Sequence, residues 1–157
     1  MPLMIEGRVP SRWAEGGRSR SAGDACARRA EGVTLALINN MPDSALEDTE
    51  LQFFELLDAA SGDVPVYLRL YSLTGVPRTD RGQRHLNSFY LDFEDLWHNR
   101  FDGVIITGTE PHQANLRNEP YWELLADVFE WAERSTDSTI LSCLAAHASV
   151  LQPIRWH

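Results

Sequence analysis

Two rhythms of apolar and polar positions run along this chain. Val33-Thr-Leu-Ala-Leu-Ile-Asn39 is an almost unbroken apolar run, which predicts a strand covered on both faces. Asn40-Met-Pro-Asp43 interrupts it. Ser44-Ala-Leu-Glu47 reads as a capping box, whose two side chains satisfy free amides at a helix start. Phe53, Leu56, Leu57 and Ala60 follow at helical spacing and predict one apolar stripe, ended by Gly62-Asp63. A second strand is predicted over Val64–Tyr71, with Pro65 at its start, where a missing N–H is harmless. Residues 73–85 are polar and predict a long loop, a kind that often serves as a lid or substrate loop. Phe89–Asn99 predicts a short helix around Phe93, Leu96 and Trp97. Gly103–Thr107 is the third predicted strand, and a second long loop covers Gly108–Asn118. Tyr121–Ser135 predicts a helix whose Leu125, Val128, Phe129 and Ala132 share a face. Ser138–Ser142 is the fourth predicted strand, with Cys143 at its exit. A helix over Leu144–Leu151 follows and is cut short by Pro153.

Short apolar strands alternating with helices imply an α/β fold with a parallel sheet and helices on both faces. Ligands of such sheets bind beyond the carboxyl ends of the strands. Asn39-Asn40, the loop after Thr107-Gly108 and Cys143 all fall at that edge. Residues 1–32 are rich in Arg, Ser, Gly and Ala, and predict a flexible N-terminal arm or a loosely docked extension. Residues 33–157 then form the folded portion. Cys26 lies in the arm and receives no role.

Charge changes the picture by exclusion. Fourteen basic residues against 23 acidic ones give a net charge of −9, so nucleic acid is not an expected partner. Every basic residue apart from the histidines is arginine. A Schiff-base lysine, a P-loop lysine and a Ser–Lys dyad are therefore excluded within this chain. The two cysteines sit far apart in unlike contexts, which fits a reducing compartment rather than a disulfide. No signal-peptide core and no run of membrane-spanning length is present. A soluble cytoplasmic protein with no metal site is the expectation.

Cys143 carries the candidate chemistry. A cysteine between a strand exit and a helix start has its sulfur beside free first-turn amides, which favour the thiolate. Its plainer alternative is a buried structural cysteine. A thiolate attacks an acyl carbon and stores the acyl group as a thioester. The oxyanion that forms needs two donors. The amide of Leu144 is one candidate, and the loop at Gly108-Thr109 offers the other, unless Gly108 is only a turn glycine. The base would be a histidine held by a carboxylate. His147, one turn beyond Cys143, is a candidate base, a packing residue or a substrate contact. His112 lies in the loop at the active edge. His85 and His98 are expected at the surface, and His157 is the last residue.

Taken in order, Leu37-Ile-Asn-Asn-Met-Pro42, Glu50-Leu-Gln-Phe53, Phe101-Asp-Gly-Val-Ile-Ile-Thr-Gly108, Tyr121-Trp-Glu123, Phe129-Glu-Trp131 and Ser138-Thr-Ile-Leu-Ser-Cys143 resemble the homoserine O-succinyltransferase family. The resemblance covers roughly residues 33–151. It implies a flavodoxin-like, class I glutamine amidotransferase-like three-layer sandwich, incomplete at the C-terminus. It implies acyl transfer from succinyl-CoA or acetyl-CoA to L-homoserine in methionine biosynthesis, with acyl-CoA as substrate and no cofactor. Cys143 matches the family's acyl-thioester cysteine, and the loop with Gly108, Thr109 and His112 matches its oxyanion and acyl-donor loop. His112 falls where the family tunes succinyl against acetyl donors. Asn40 and His147 are possible substrate contacts. The sequence departs from better-known relatives at His147, often Gln there, and in an Asn40–Thr49 loop without their lysine. The family's catalytic histidine, its carboxylate and a substrate-binding arginine lie well downstream of the cysteine, so a fragment with weak or no turnover is expected. A non-catalytic binding or regulatory remnant of the fold is the alternative, with glutamine hydrolysis behind it. The thin cover expected over the fourth strand predicts a homodimer or aggregation.

Overall fold

Leu37, Leu68, Leu70 and Ile105 point to one side of a sheet, and Ala36, Ile38, Tyr71, Val104 and Ile106 to the other, all of them buried. Strand side chains alternate across the pleat, so near-continuous apolar runs fill two cores at once. A computed structural model describes residues 3–15 and 32–151. Its elements, in chain order, are β1 (Leu3–Ile5), α1 (Ser11–Glu15), β2 (Val33–Ile38), α2 (Asp43–Ala60), β3 (Val66–Tyr71), α3 (Asp80–Phe89), α4 (Glu94–Trp97), β4 (Phe101–Ile106), a 3-10 turn (Leu116–Asn118), α5 (Trp122–Ser135), β5 (Thr136–Leu141) and α6 (Leu144–Leu151).

The five strands are parallel and lie in the order β1-β3-β2-β4-β5. Counted from β2 the order is 2-1-3-4, the flavodoxin-like arrangement of doubly wound sheets. Trp13 of α1 and Phe54 of α2 cover one face, with ring centroids 5.6 Å apart. On the other face α5 and α6 bring Leu125, Val128, Phe129, Ala132, Ala145 and Ala148 against β4 and β2. The three-layer α/β architecture is therefore present. The chain leaves β2 toward β3 on one side and leaves β4 toward β5 on the other. The β2–β4 gap is thus the switch point, where a ligand crevice opens beyond the strand ends.

Four of the strands and α6 lie where the sequence pattern places them, with shifted strand ends. Other expectations are corrected. Residues 3–15 are not an undocked arm: Leu3, Met4 and Ile5 pair with Val66, Tyr67 and Leu68 as an edge strand. A three-residue strand lends too short a pattern to be read. The rest of the expected arm, with Cys26, lies outside the described residues. No capping box forms at Ser44; the N-cap of α2 is Pro42, two residues earlier, and it has no side-chain cap bond. The buried stripe of α2 runs through Leu46, Glu50 and Phe54, while Leu56 is exposed. The stripe was displaced because a carboxylate holds one of its core positions. Half of the expected loop 73–85 is helical: Thr79 accepts a bond from the Gly82 amide at 3.2 Å and starts α3.

Candidate active site

β5 delivers the chain to a sharp corner. The Ser142 amide still donates to the Ile106 carbonyl at 2.9 Å, carrying the β4 pairing one residue past the strand. Cys143 then takes φ +57°, the only positive φ of a non-glycine residue among the described residues. A β-carbon in this region crowds the following carbonyl, at a cost of about 1–2 kcal/mol. The amides of Ala146 and His147 turn back to the Cys143 carbonyl at 3.1 and 3.4 Å. Cys143 is therefore half in the helix: its carbonyl starts the helical ladder while its side chain stands outside, exposed. A strained strand-to-helix turn of this kind lifts a nucleophile above the sheet edge. The structural alternative, a buried thiol, does not apply.

Gly108 completes the corner. A β-carbon at this position would lie 2.6 Å from the Leu144 nitrogen and 2.7 Å from its Cβ. Only glycine lets the β4 exit loop rest on the first residue of α6. Gly108 is thus more than a turn glycine, and two of the residues expected at an oxyanion site come together. Thr109 and Leu144 also line a cleft with Asn40, Tyr121 and Trp122. Its interior of about 10 Å³ has room for about one water. The corner is packed from below, and Cys143 is reached from the solvent side.

Asn40 is 2% exposed, and its groups are taken by two other strand exits. Its amide nitrogen donates to the Thr107 hydroxyl at 2.8 Å. Its side-chain Nδ2 donates to the Thr107 carbonyl at 3.2 Å, and its Oδ1 accepts from Leu73 at 2.9 Å. The residue ties β2, β3 and β4 together at the active edge. His112 and His147 are exposed. His112 sits in the loop that leaves Gly108, and His147 one turn above Cys143.

A second polar cluster supports the same edge, and sequence reasoning missed it. Glu50 is buried on the core side of α2 and accepts from the Tyr90 hydroxyl at 2.7 Å. His85 of α3, expected at the surface, is partly buried against it: Nε2 lies 2.8 Å from Glu50, and Nδ1 lies 3.6 Å from Glu47. Burial opposes the imidazolium charge, but the bond to Glu50 and the charges of Glu50 and Glu47 outweigh it and raise the His85 pKa. Asn39 links the cluster to the β2 exit, donating to Tyr90 at 3.0 Å and to the Leu46 carbonyl at 3.1 Å. Arg78 pins the same loop through the Met41 carbonyl at 2.5 Å and Asp43 at 3.0 Å. Thr79 donates twice to Asp43, at 2.5 and 2.6 Å. Burial raises the Asp43 pKa, yet these bonds and the Arg78 charge lower it overall. The available signal was Glu50 itself, an acid at helical spacing between Leu46 and Phe54.

A wider groove of about 680 Å³ lies between α2 and α3. Two of its cations are paired with acids, Arg12 with Asp48 at 2.6 Å and Arg81 with Glu47 at 3.6 Å, and Arg84 also lines it. Among the described residues no group of three or more His, Cys, Asp or Glu is arranged to hold a metal ion. No helix among them is long and apolar enough to cross a membrane.

Comparison with known proteins gives these features a context. The family model for homoserine O-succinyltransferase matches residues 15–155. The homoserine O-succinyltransferase of Rhodopseudomonas palustris is 47% identical over 122 residues, covering 78% of this chain and 37% of that protein. The Bradyrhizobium japonicum protein of the same name is 44% identical over 132 residues, 83% of this chain and 41% of its own length. That of Methylococcus capsulatus is 34% identical over 151 residues, 94% of this chain and 42% of its own length. The chain thus spans about two-fifths of the length of these curated relatives.

Proposed function

Given that this chain belongs to the homoserine O-succinyltransferase family, we propose that it carries the nucleophile half of a homoserine O-acyltransferase, acting in methionine biosynthesis in the cytoplasm. In this reading the Cys143 thiolate attacks the thioester carbonyl carbon of an acyl-CoA, succinyl-CoA or acetyl-CoA. Negative charge gathers on the carbonyl oxygen, near the Leu144 amide and the Gly108–Thr109 backbone. The carbon–sulfur bond to coenzyme A breaks, coenzyme A leaves as its thiolate, and the acyl group stays on Cys143. The hydroxyl of homoserine then gives its proton to a base and attacks the new thioester. O-acylhomoserine leaves and the Cys143 thiolate returns. By the family resemblance that base is a histidine beyond the matched segment. The residues described here serve the acylation half of the reaction, and the second half draws on that histidine. The exposed apolar residues beside the edge strand β5, Ile140 and Val150, support a homodimer.

The observation that carries the proposal is the exposed Cys143 at φ +57°, with Gly108 seated against the Leu144 amide. The test is incubation with succinyl-CoA or acetyl-CoA followed by intact-mass measurement. A gain of one acyl group, abolished by Cys143→Ala, is expected. An unmodified chain with both donors overturns the proposal.

A further inference from the structure

The loop that leaves Gly108 is exposed along its outer stretch, from Glu110 to Asn115. Such a segment has few apolar contacts to fix its course. One buried group does this from beneath. Glu119 is 4% exposed, and its Oε1 accepts both the His112 amide at 2.5 Å and the Gln113 amide at 2.7 Å. Two donors on one carboxylate oxygen, both short, are charge-assisted bonds, stronger than neutral ones. The acid is held in turn by the 3-10 turn, with its own amide on the Leu116 carbonyl at 3.1 Å and its carbonyl accepting from Trp122 at 3.0 Å.

The burial is costly in a telling way. Oε2 of Glu119 and the hydroxyl of Tyr121 are both buried and make no hydrogen bond among the described residues. Burial, and after it the Glu119 charge, pushes the Tyr121 pKa up to about 12. A group chosen only for stability at this place would be apolar or fully bonded. Tyr121 also lines the cleft behind Gly108, Thr109 and Leu144. The carboxylate is therefore tied to the outer loop, two residues before a tyrosine that lines the cleft at the Cys143 corner.

We infer that Glu119 is a positioning residue for the acyl donor: through the His112 and Gln113 amides it holds the loop after Gly108 in the course that receives the acyl-CoA beside Cys143. The inference rests on the acyltransferase reading. Glu119 touches no reacting atom and acts only through the backbone it fixes.

The experiment compares the 157-residue chain with Glu119→Ala and Glu119→Gln. Hydrogen exchange over residues 109–115 reads the loop, and the rate of Cys143 acylation reads the site, with succinyl-CoA and acetyl-CoA as separate donors. In Glu119→Ala, loop exchange speeds up about tenfold and the half-saturating succinyl-CoA concentration rises about tenfold, with the limiting rate little changed. The ratio of succinyl to acetyl reactivity shifts as well. Glu119→Gln keeps one acceptor oxygen and restores most of both effects. If the parent chain acylates and Glu119→Ala matches it, the inference fails while the reading stands. If exchange rises equally across the sheet and Glu119→Gln restores nothing, Glu119 is merely structural and the inference fails. A parent chain that takes no acyl group removes the reading and the inference together.

Discussion

At Cys143 stability and reactivity pull apart. Its positive φ is a conformation that glycine adopts freely and cysteine does not. Cys143→Gly is expected to stabilise the fold by about 1 kcal/mol, a rise of roughly 3 °C in melting temperature for a chain of this size. The same change removes the thiol and all acylation. Scanning calorimetry alongside intact mass checks this, and a Cys143→Gly chain that melts lower than the parent would show that the corner stores no strain. The thiol's place at a strand exit was legible from the apolar run that ends in small residues. The backbone angle was not, because it follows from Ser142 staying paired to Ile106 while Leu144 must already be helical.

Between α2 and α3 the contact is ionic and largely shielded, with Glu50 and His85 side chains 3% and 11% exposed. The bond to Glu50 holds the folded-state pKa of His85 above its ordinary value. A raised folded value means that the charged pair contributes its full stability below the unfolded value of about 6.5. That contribution is lost as pH rises through the folded value. Urea unfolding midpoints should therefore fall from about pH 6 upward in the parent chain and change less in His85→Gln. At about pH 6 the variant should be less stable by roughly 3 kcal/mol, since it leaves Glu50 buried without its charged partner. Equal pH slopes for the two proteins would remove the pair from the stability of the fold. Asp43 works in the opposite direction: its lowered pKa stabilises above the ordinary carboxylate value and is lost in acid. The helix carrying His85 has almost only polar residues and so no apolar stripe to mark it, and its contacts with Glu47 and Glu50 join it to α2.

Across the whole molecule one side of the sheet is left open. β5 is an edge strand whose Ile140 is 59% exposed, and Val150 of the following helix is 82% exposed. An unpaired edge with apolar side chains is a template for association. The isolated chain is expected to self-associate in light scattering, and Ile140→Lys to make it monomeric. A parent chain that stays monomeric would sink this expectation. At this scale the sequence by itself determined the four main strands, the parallel α/β class, the faces of α5 and the strand-exit position of Cys143. These follow from local spacing, since which positions are apolar sets both the element and its buried side. Tertiary structure alone decided the edge strand Leu3–Ile5, the burial of Glu50, the helix that carries His85 and the seat of Gly108 on Leu144. Each of these pairs a residue with a partner far away in the chain, and no periodicity along one segment encodes what lies across the sheet from it.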